Sequence, residues 1–242
     1  MASLVIIPTF NEKENIANIV AAVFALPEPF HILVVDDGSP DGTAQIVRDQ
    51  QGQYPDRLHL LERRGKLGLG TAYIAGFRWG LARDYAYFFE MDADFSHPPA
   101  DLVRLLDACR NGDADVAIGS RYVRGGAVVN WTFDRKFYSY GGSIYTRIMT
   151  WMPVWDPTAG FICYRRKVLE IMDLDKIRFV GYAFQIEMKF AAWTLGFRLR
   201  EVPITFKDRE LGESKMSLKI VQEGIFGVLK MKWRSFWGDY RR

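Results

Sequence analysis

Cysteine is scarce in this chain: Cys109 and Cys163 lie far apart among 242 residues, and nothing near either resembles a metal or redox motif. A disulfide-stapled secreted scaffold is thereby excluded, and both are expected as core or free thiols in a reducing compartment. Long hydrophobic runs are missing too. No stretch approaches the roughly 20 apolar residues of a membrane span, so any membrane contact has to be peripheral. The opening residues Met1-Ala2-Ser3-Leu4-Val5-Ile6-Ile7-Pro8 have no basic region and no long apolar core, and read as a first strand, not a signal peptide. Nor does one sign of charge dominate: 32 Lys and Arg stand against 29 Asp and Glu, a net +3, which argues against nucleic-acid binding across the whole surface.

What is present is a length suited to one large α/β domain and a generous aromatic share, 14% with seven Trp. Short apolar runs at residues 4–7, 31–35, 58–61 and 87–91 alternate with segments of helical periodicity, which predicts a mostly parallel, doubly wound sheet flanked by helices. Asn11 with Glu14 reads as a capping box for the first helix, and Asp41 as the cap of the second. Further along, a strand is predicted at 115–121, a mobile stretch from Gly125 and Gly126, a helix opened by Arg135 and Lys136, a strand at 161–164, a helix at 183–195 and a single strand over 198–207.

The strand at 87–91 ends in Met91-Asp92-Ala93-Asp94-Phe95-Ser96, delivering two carboxylates at its carboxyl end, where open α/β sheets bind ligands. Two carboxylates one residue apart suit a hard divalent cation, Mg²⁺ or Mn²⁺, that shares oxygen ligands with a substrate phosphate. The plainer alternative is a polar turn with Asp94 capping the helix that Pro98 and Pro99 open. Asn11, Glu12 and Asp37 end other strands, and carboxylates accept hydrogen bonds from ribose hydroxyls and base edges. They would repel a diphosphate unless a cation and nearby arginines offset them. Gly65, Gly68 and Gly70 do not form a dinucleotide fingerprint, because they follow the third strand and residue 73 is Tyr; they read as a loop and helix start in which Lys66 can reach a phosphate.

Residues 216–242 read as an amphipathic helix appended to a domain over 1–215. Its apolar stripe includes Ile225, Phe226, Leu229, Trp233 and Phe236, with Lys219, Lys230, Lys232 and Arg234 beside it. Two readings stand: a helix in a membrane interface, or one packed on the core or on a partner.

Eight motifs in order, Val5-Ile6-Ile7-Pro8-Thr9-Phe10-Asn11-Glu12, Val34-Val35-Asp36-Asp37-Gly38-Ser39, Gly65-Lys66-Leu67-Gly68-Leu69-Gly70, Met91-Asp92-Ala93-Asp94, Gly119-Ser120-Arg121-Tyr122, Asp156-Pro157-Thr158-Ala159-Gly160-Phe161, Phe184-Gln185-Ile186-Glu187-Met188 and Gly212-Glu213-Ser214-Lys215, resemble those of dolichol-phosphate (polyprenol-phosphate) mannose synthases. These are inverting family 2 glycosyltransferases of the GT-A, Rossmann-like fold. The resemblance implies transfer of mannose from GDP-mannose to a polyprenyl or dolichyl phosphate at the cytoplasmic face of a membrane. It implies that Pro8, Phe10, Glu12, Val35 and Asp37 hold guanosine, that Asp92, Ala93 and Asp94 face ribose, diphosphate and metal, and that Arg209 and Lys215 grip the donor phosphates. Arg121, Arg135 and Ser139 would receive the lipid phosphate, so the catalytic set is Asp94, Arg121, Arg135 and Arg209. Phe10 stands where Tyr is common, and Ser96 where some relatives place a Gln metal ligand, leaving water to complete the shell. Glu187 is open between orienting a sugar hydroxyl and serving as a core-edge carboxylate. A UDP-glucose donor, or a non-catalytic nucleotide-sugar binding module, are the competing expectations.

Overall fold

The computed structural model describes residues 2–181, 183–208, 218–236 and 240–241. Seven strands form one sheet in the order β3-β2-β1-β4-β7-β5-β8: β1 (Ala2–Thr9), β2 (Phe30–Asp36), β3 (Leu58–Glu62), β4 (Tyr85–Glu90), β5 (Val116–Ser120), β7 (Ile162–Arg165) and β8 (Leu199–Pro203). The helices are α1 (Ile16–Phe24), α2 (Thr43–Gln51), α3 (Leu69–Leu81), α4 (Asp101–Arg110), α5 (Phe133–Thr150), α6 (Arg166–Ile171), α7 (Ala183–Thr194) and α8 (Leu218–Ser235).

The β1 strand shows why the sheet is covered on both faces. Leu4, Val5, Ile6 and Ile7 are all fully buried, and their side chains alternate. Leu4 and Ile6 enter a core with Leu33, Val35, Phe77, Phe88 and Phe184, whereas Val5 and Ile7 enter a second core with Ile19, Val23, Ile32 and Leu105. Each such aliphatic contributes about 1.5–3 kcal/mol over leaving it in water. On the first face α3 lies unusually close. A Cβ added at Gly76 would stand 2.6 Å from Ile6 Cγ2, and one at Gly80 would stand 2.5 Å from the Phe88 ring. Hydrogen at these positions is what lets the helix rest directly on β1 and β4.

The sheet is mostly parallel, as expected, with β7 running antiparallel to both β4 and β5. A strand's direction is set by the edge at which the preceding connection re-enters, which its own residues do not record. Two expectations are corrected. The single strand expected over 198–207 divides at Ile204. β8 pairs with β5, whereas β9 (Thr205–Lys207) pairs in parallel with β6 (Ala127–Val129), so part of the expected mobile stretch is a strand. Ile204 is the corner, its N–H donating to Ser120 O and its carbonyl accepting from Ala127. Finally, Asn11 does not cap α1, which begins only at Ile16. The Asn11 N–H is taken by Ser39 Oγ, that of Glu12 by Thr43 Oγ1, and that of Lys13 by Asp41. Partners on the β2–α2 loop thus replace the local capping box, while Asp41 also accepts from Thr43 N–H at the start of α2.

Candidate active site

Chain order runs outward from β1 through β2 to β3, then β4 takes the other side of β1. That reversal opens a crevice beyond the carboxyl ends of β1 and β4, the place where such sheets bind ligands. Pro8 pairs with Val35 in the parallel ladder, and the Asp37 N–H donates to Thr9 O. The register therefore brings Pro8, Phe10, Glu12, Val35 and Asp37 together at one corner. Asp37 is nearly buried and accepts from Arg63 Nε at 2.6 Å and from the Leu67 N–H at 3.2 Å. Its carboxylate thereby fixes the loop after β3, where Lys66 Nζ sits 4.9 Å from the Phe10 ring centroid. Arg63 gave no signal in the sequence beyond lying next to Arg64.

Two residues beyond β4, the Asp92 side chain remains 39% exposed, with Tyr73 Oη at 3.4 Å from Oδ1. Asp94 is nearly buried and accepts the Ser96 N–H at 3.0 Å. The residue between them, Phe95, has φ +58°, a left-handed conformation that costs a non-glycine residue on the order of 1 kcal/mol and is characteristic of functional turns. His97 closes the loop. It stacks on Phe161 at 5.0 Å between ring centroids, and burial lowers its pKa to about 4, so the ring is neutral at pH 7. Its buried Nδ1 has no hydrogen-bond partner among the described residues and lies 4.0 Å from Asp92 Oδ2. An oxygen-rich pair of carboxylates fits a hard divalent cation. Among the described residues no group of three His, Cys, Asp or Glu is placed to hold a metal ion by itself.

On the other side of the crevice Arg121 follows β5. Its Nε and Nη2 donate to the two oxygens of Asp156 at 2.7 and 2.6 Å, its Nη2 also to Thr158 Oγ1 at 2.8 Å, and its backbone N–H to Asp156 again. Asp156 is fully buried. Burial alone would raise its pKa, but the Arg121 guanidinium holds it below the usual carboxylate range. Arg121 also faces the Trp131 and Phe206 rings at 5.4 and 5.5 Å. Arg135 reaches the Trp131 ring at 4.3 Å and pairs with Asp208 at 2.5 Å, while Ser139 Oγ accepts from Tyr122 Oη at 2.7 Å. Arg121, Arg135 and Ser139 therefore share one aromatic wall. The expected donor-phosphate cations Arg209 and Lys215 lie outside the described residues.

The two sides touch: His97 packs edge-on against Phe206, and the Lys207 N–H donates to Ser96 O. Beneath them runs a polar layer that sequence reasoning missed. Glu90, fully buried, accepts from Tyr164 Oη at 3.0 Å and Gln185 Nε2 at 2.6 Å, and burial raises its pKa to about 7. Lys189, also fully buried, has its pKa lowered to about 8 by burial, against the pull of Glu90 and Asp156. The one available signal was a Lys four residues after Gln185 in a mostly apolar helix. Glu187 is fully buried, and its oxygens accept from the Arg178 and Phe179 N–H groups and from Tyr240 Oη.

Residues 4–172 match the family model described as glycosyl transferase family 2. A polyprenol monophosphomannose synthase of Mycolicibacterium smegmatis is 51% identical over 226 residues, covering 93% of this chain and 85% of its own length. An undecaprenyl-phosphate mannosyltransferase of Micrococcus luteus is 49% identical over 242 residues, covering 100% of this chain and 98% of its own. The solved structure of a mannosyltransferase from Pyrobaculum calidifontis, in complex with GDP-Man and Mn²⁺, has the same fold, with a TM-score of 0.58 at 17% identity over 96% of this chain and 73% of that one. With the carboxylate turn, the crevice and the arginine wall in place, this chain belongs to glycosyl transferase family 2, among its polyprenyl-phosphate mannosyltransferases.

Proposed function

We propose that the chain transfers mannose from GDP-mannose to a polyprenyl or dolichyl phosphate, with inversion, at the cytoplasmic face of a membrane. The observation that supports this reading is that Ser96 and His97, just after the Asp92–Asp94 turn, meet Lys207 and Phe206, the ring that Arg121 faces. Pro8, Phe10, Glu12, Val35 and Asp37 receive the nucleoside, and Asp92 and Asp94, with Ser96 at the same turn, hold a divalent cation, Mg²⁺ or Mn²⁺. That cation, when bound, offsets the charge developing on the diphosphate. Arg121, Arg135 and Ser139 align the lipid phosphate with the anomeric carbon. A phosphate oxygen forms the new bond to that carbon as the bond to GDP breaks, and GDP leaves with the electron pair. The second pKa of a phosphate monoester lies near 6, so the nucleophile is already ionised and no general base is needed. Arg209 and Lys215 complete the grip on the departing diphosphate. The test is radiolabelled mannose passing from GDP-mannose into an organic-extractable polyprenyl phosphate with Mn²⁺. Transfer from UDP-glucose instead would overturn the choice of donor, and no transfer from either would overturn the enzyme reading.

Two exposed apolar stripes support peripheral membrane contact. On α5 and just beyond it Phe133, Phe137, Tyr140, Ile144, Ile148 and Trp151 recur at intervals of three and four, and on α8 Phe226, Leu229, Trp233 and Phe236 do the same, although Val228 and Met231 already bury the other face of α8. Lys230, Lys232 and Arg234 flank the second stripe. A half-open cavity of about 380 Å³, lined by Ile144, Arg147, Ile148, Trp151 and Trp155, lies at the end of the first. Aromatic residues with basic neighbours bind anionic bilayers by wedging and by charge. Replacing Phe226, Trp233 and Phe236 together by alanine is expected to lower flotation with phosphatidylglycerol vesicles roughly tenfold or more. Equal flotation would place the membrane contact elsewhere.

A further inference from the structure

We propose that Lys189, fully buried, is a positioning residue for the acceptor: its ammonium fixes the 156–159 turn, and that turn fixes the plane of the Arg121 guanidinium. The inference rests on the functional reading above. An ammonium in a protein interior costs several kcal/mol in lost hydration, and an apolar residue of similar volume commonly serves stability as well or better. A fully buried lysine therefore calls for an account of where its three hydrogens go. All three are used: Nζ donates to Pro157 O at 3.1 Å, Ala159 O at 2.6 Å and Gln185 O at 2.9 Å.

Two of those carbonyls belong to the turn whose Asp156 and Thr158 accept three hydrogen bonds from the Arg121 side chain. The third belongs to Gln185, one helical turn earlier on α7, whose side-chain amide reaches Glu90 at the end of β4. Asp92 lies two residues beyond Glu90. Lys189 and Gln185 thus tie the end of the strand that leads to the carboxylate turn to the loop that aims Arg121. The charges around the ammonium are mostly negative, with Glu90, Asp156 and Glu201 attracting it and Arg121 opposing it. Glu201 secures the same turn from outside by accepting the Trp155 and Asp156 N–H groups. The turn is therefore held at both its backbone carbonyls and its backbone amides, leaving the Arg121 plane little freedom.

The test compares Lys189→Met with the wild-type chain in steady-state transfer from GDP-mannose to polyprenyl phosphate with Mn²⁺. The expected result is a KM for the lipid phosphate raised roughly 10- to 100-fold, the penalty of a misaligned reactant, with the KM for GDP-mannose held within about twofold. A purely structural lysine would move both constants together, or lower the thermal midpoint and leave the acceptor KM unchanged, and either result overturns the inference. Should Lys189→Met fail to fold, Thr158→Val decides. It deletes the hydroxyl's bonds to Arg121 and Asp156, and the acceptor KM is expected to rise about 3- to 10-fold, the net worth of a typical hydrogen bond. An unchanged acceptor KM in that variant refutes the proposal. A wild-type chain that moves no mannose to lipid phosphate refutes the functional reading itself, and this inference with it.

Discussion

Asp94→Asn is expected to reduce mannosyl transfer by roughly 10³-fold or more in kcat/KM, while the thermal midpoint shifts by no more than about 2 °C. The two halves of this expectation have separate causes. Asparagine keeps a carbonyl oxygen for the Ser96 N–H, so the turn built around the left-handed Phe95 survives. What is lost is one negative charge beside Asp92, and with it the affinity for a cation that offsets charge on the leaving diphosphate. Calorimetric titration with GDP should show Mn²⁺-dependent binding in the wild type and little difference with or without Mn²⁺ in the variant. Activity within tenfold of wild type would show that the cation is held by other groups.

Asp156→Ala is expected to cost about 3–5 kcal/mol of stability in denaturant unfolding, because it leaves the Arg121 guanidinium in a nearly closed site without its carboxylate. The Arg121 side chain is only 10% exposed and its partner 0%, so solvent offers little compensation. Truncating both, as Arg121→Met with Asp156→Ala, should cost clearly less than the sum of the single changes, since no uncompensated charge then remains. The pH dependence has a definite sign. The folded pKa of Asp156 is depressed below its ordinary 3.8, so the contribution of the pair is fully present above that value and is lost as pH falls through the folded pKa. The stability gap between wild type and Asp156→Ala should therefore be flat near neutrality and narrow only below about pH 4. A gap that narrows between pH 5 and pH 7 would assign the effect to another group.

Much of the fold could be read in advance because it is written in local periodicity. Leu4 to Ile7 is apolar on both faces, and a run of that kind admits only a strand covered on both sides. The carboxylates at the ends of β1, β2 and β4 were legible for a similar reason, since polar residues that follow such a run must emerge at one edge. Tertiary partners left no such trace. Nothing in Ile162-Cys163-Tyr164-Arg165 distinguishes an antiparallel strand from a parallel one. Nothing local shows that Val128 pairs with Phe206, or that Arg63 folds back onto Asp37. Lys189 was hidden because charge in a sequence signals surface; only the ring of carbonyls supplied by a distant turn makes an interior lysine tolerable. Arg121 was expected as a cation at a strand end, which it is, but the carboxylate that holds it lies 35 residues further on.

The reversed strand bears on how the protein is made. β1, β2, β3 and β4 pair among themselves and can close as soon as the first 90 or so residues have left the ribosome. β5 has no such option: both of its partners, β7 and β8, are synthesised after it. Until they emerge its edges stay bare, inviting mispairing with other nascent chains. The strands leading to Asp37 and Asp92 have therefore found partners, with only the outer edge of β4 open to β7, while the strand leading to Arg121 still waits for both of its neighbours.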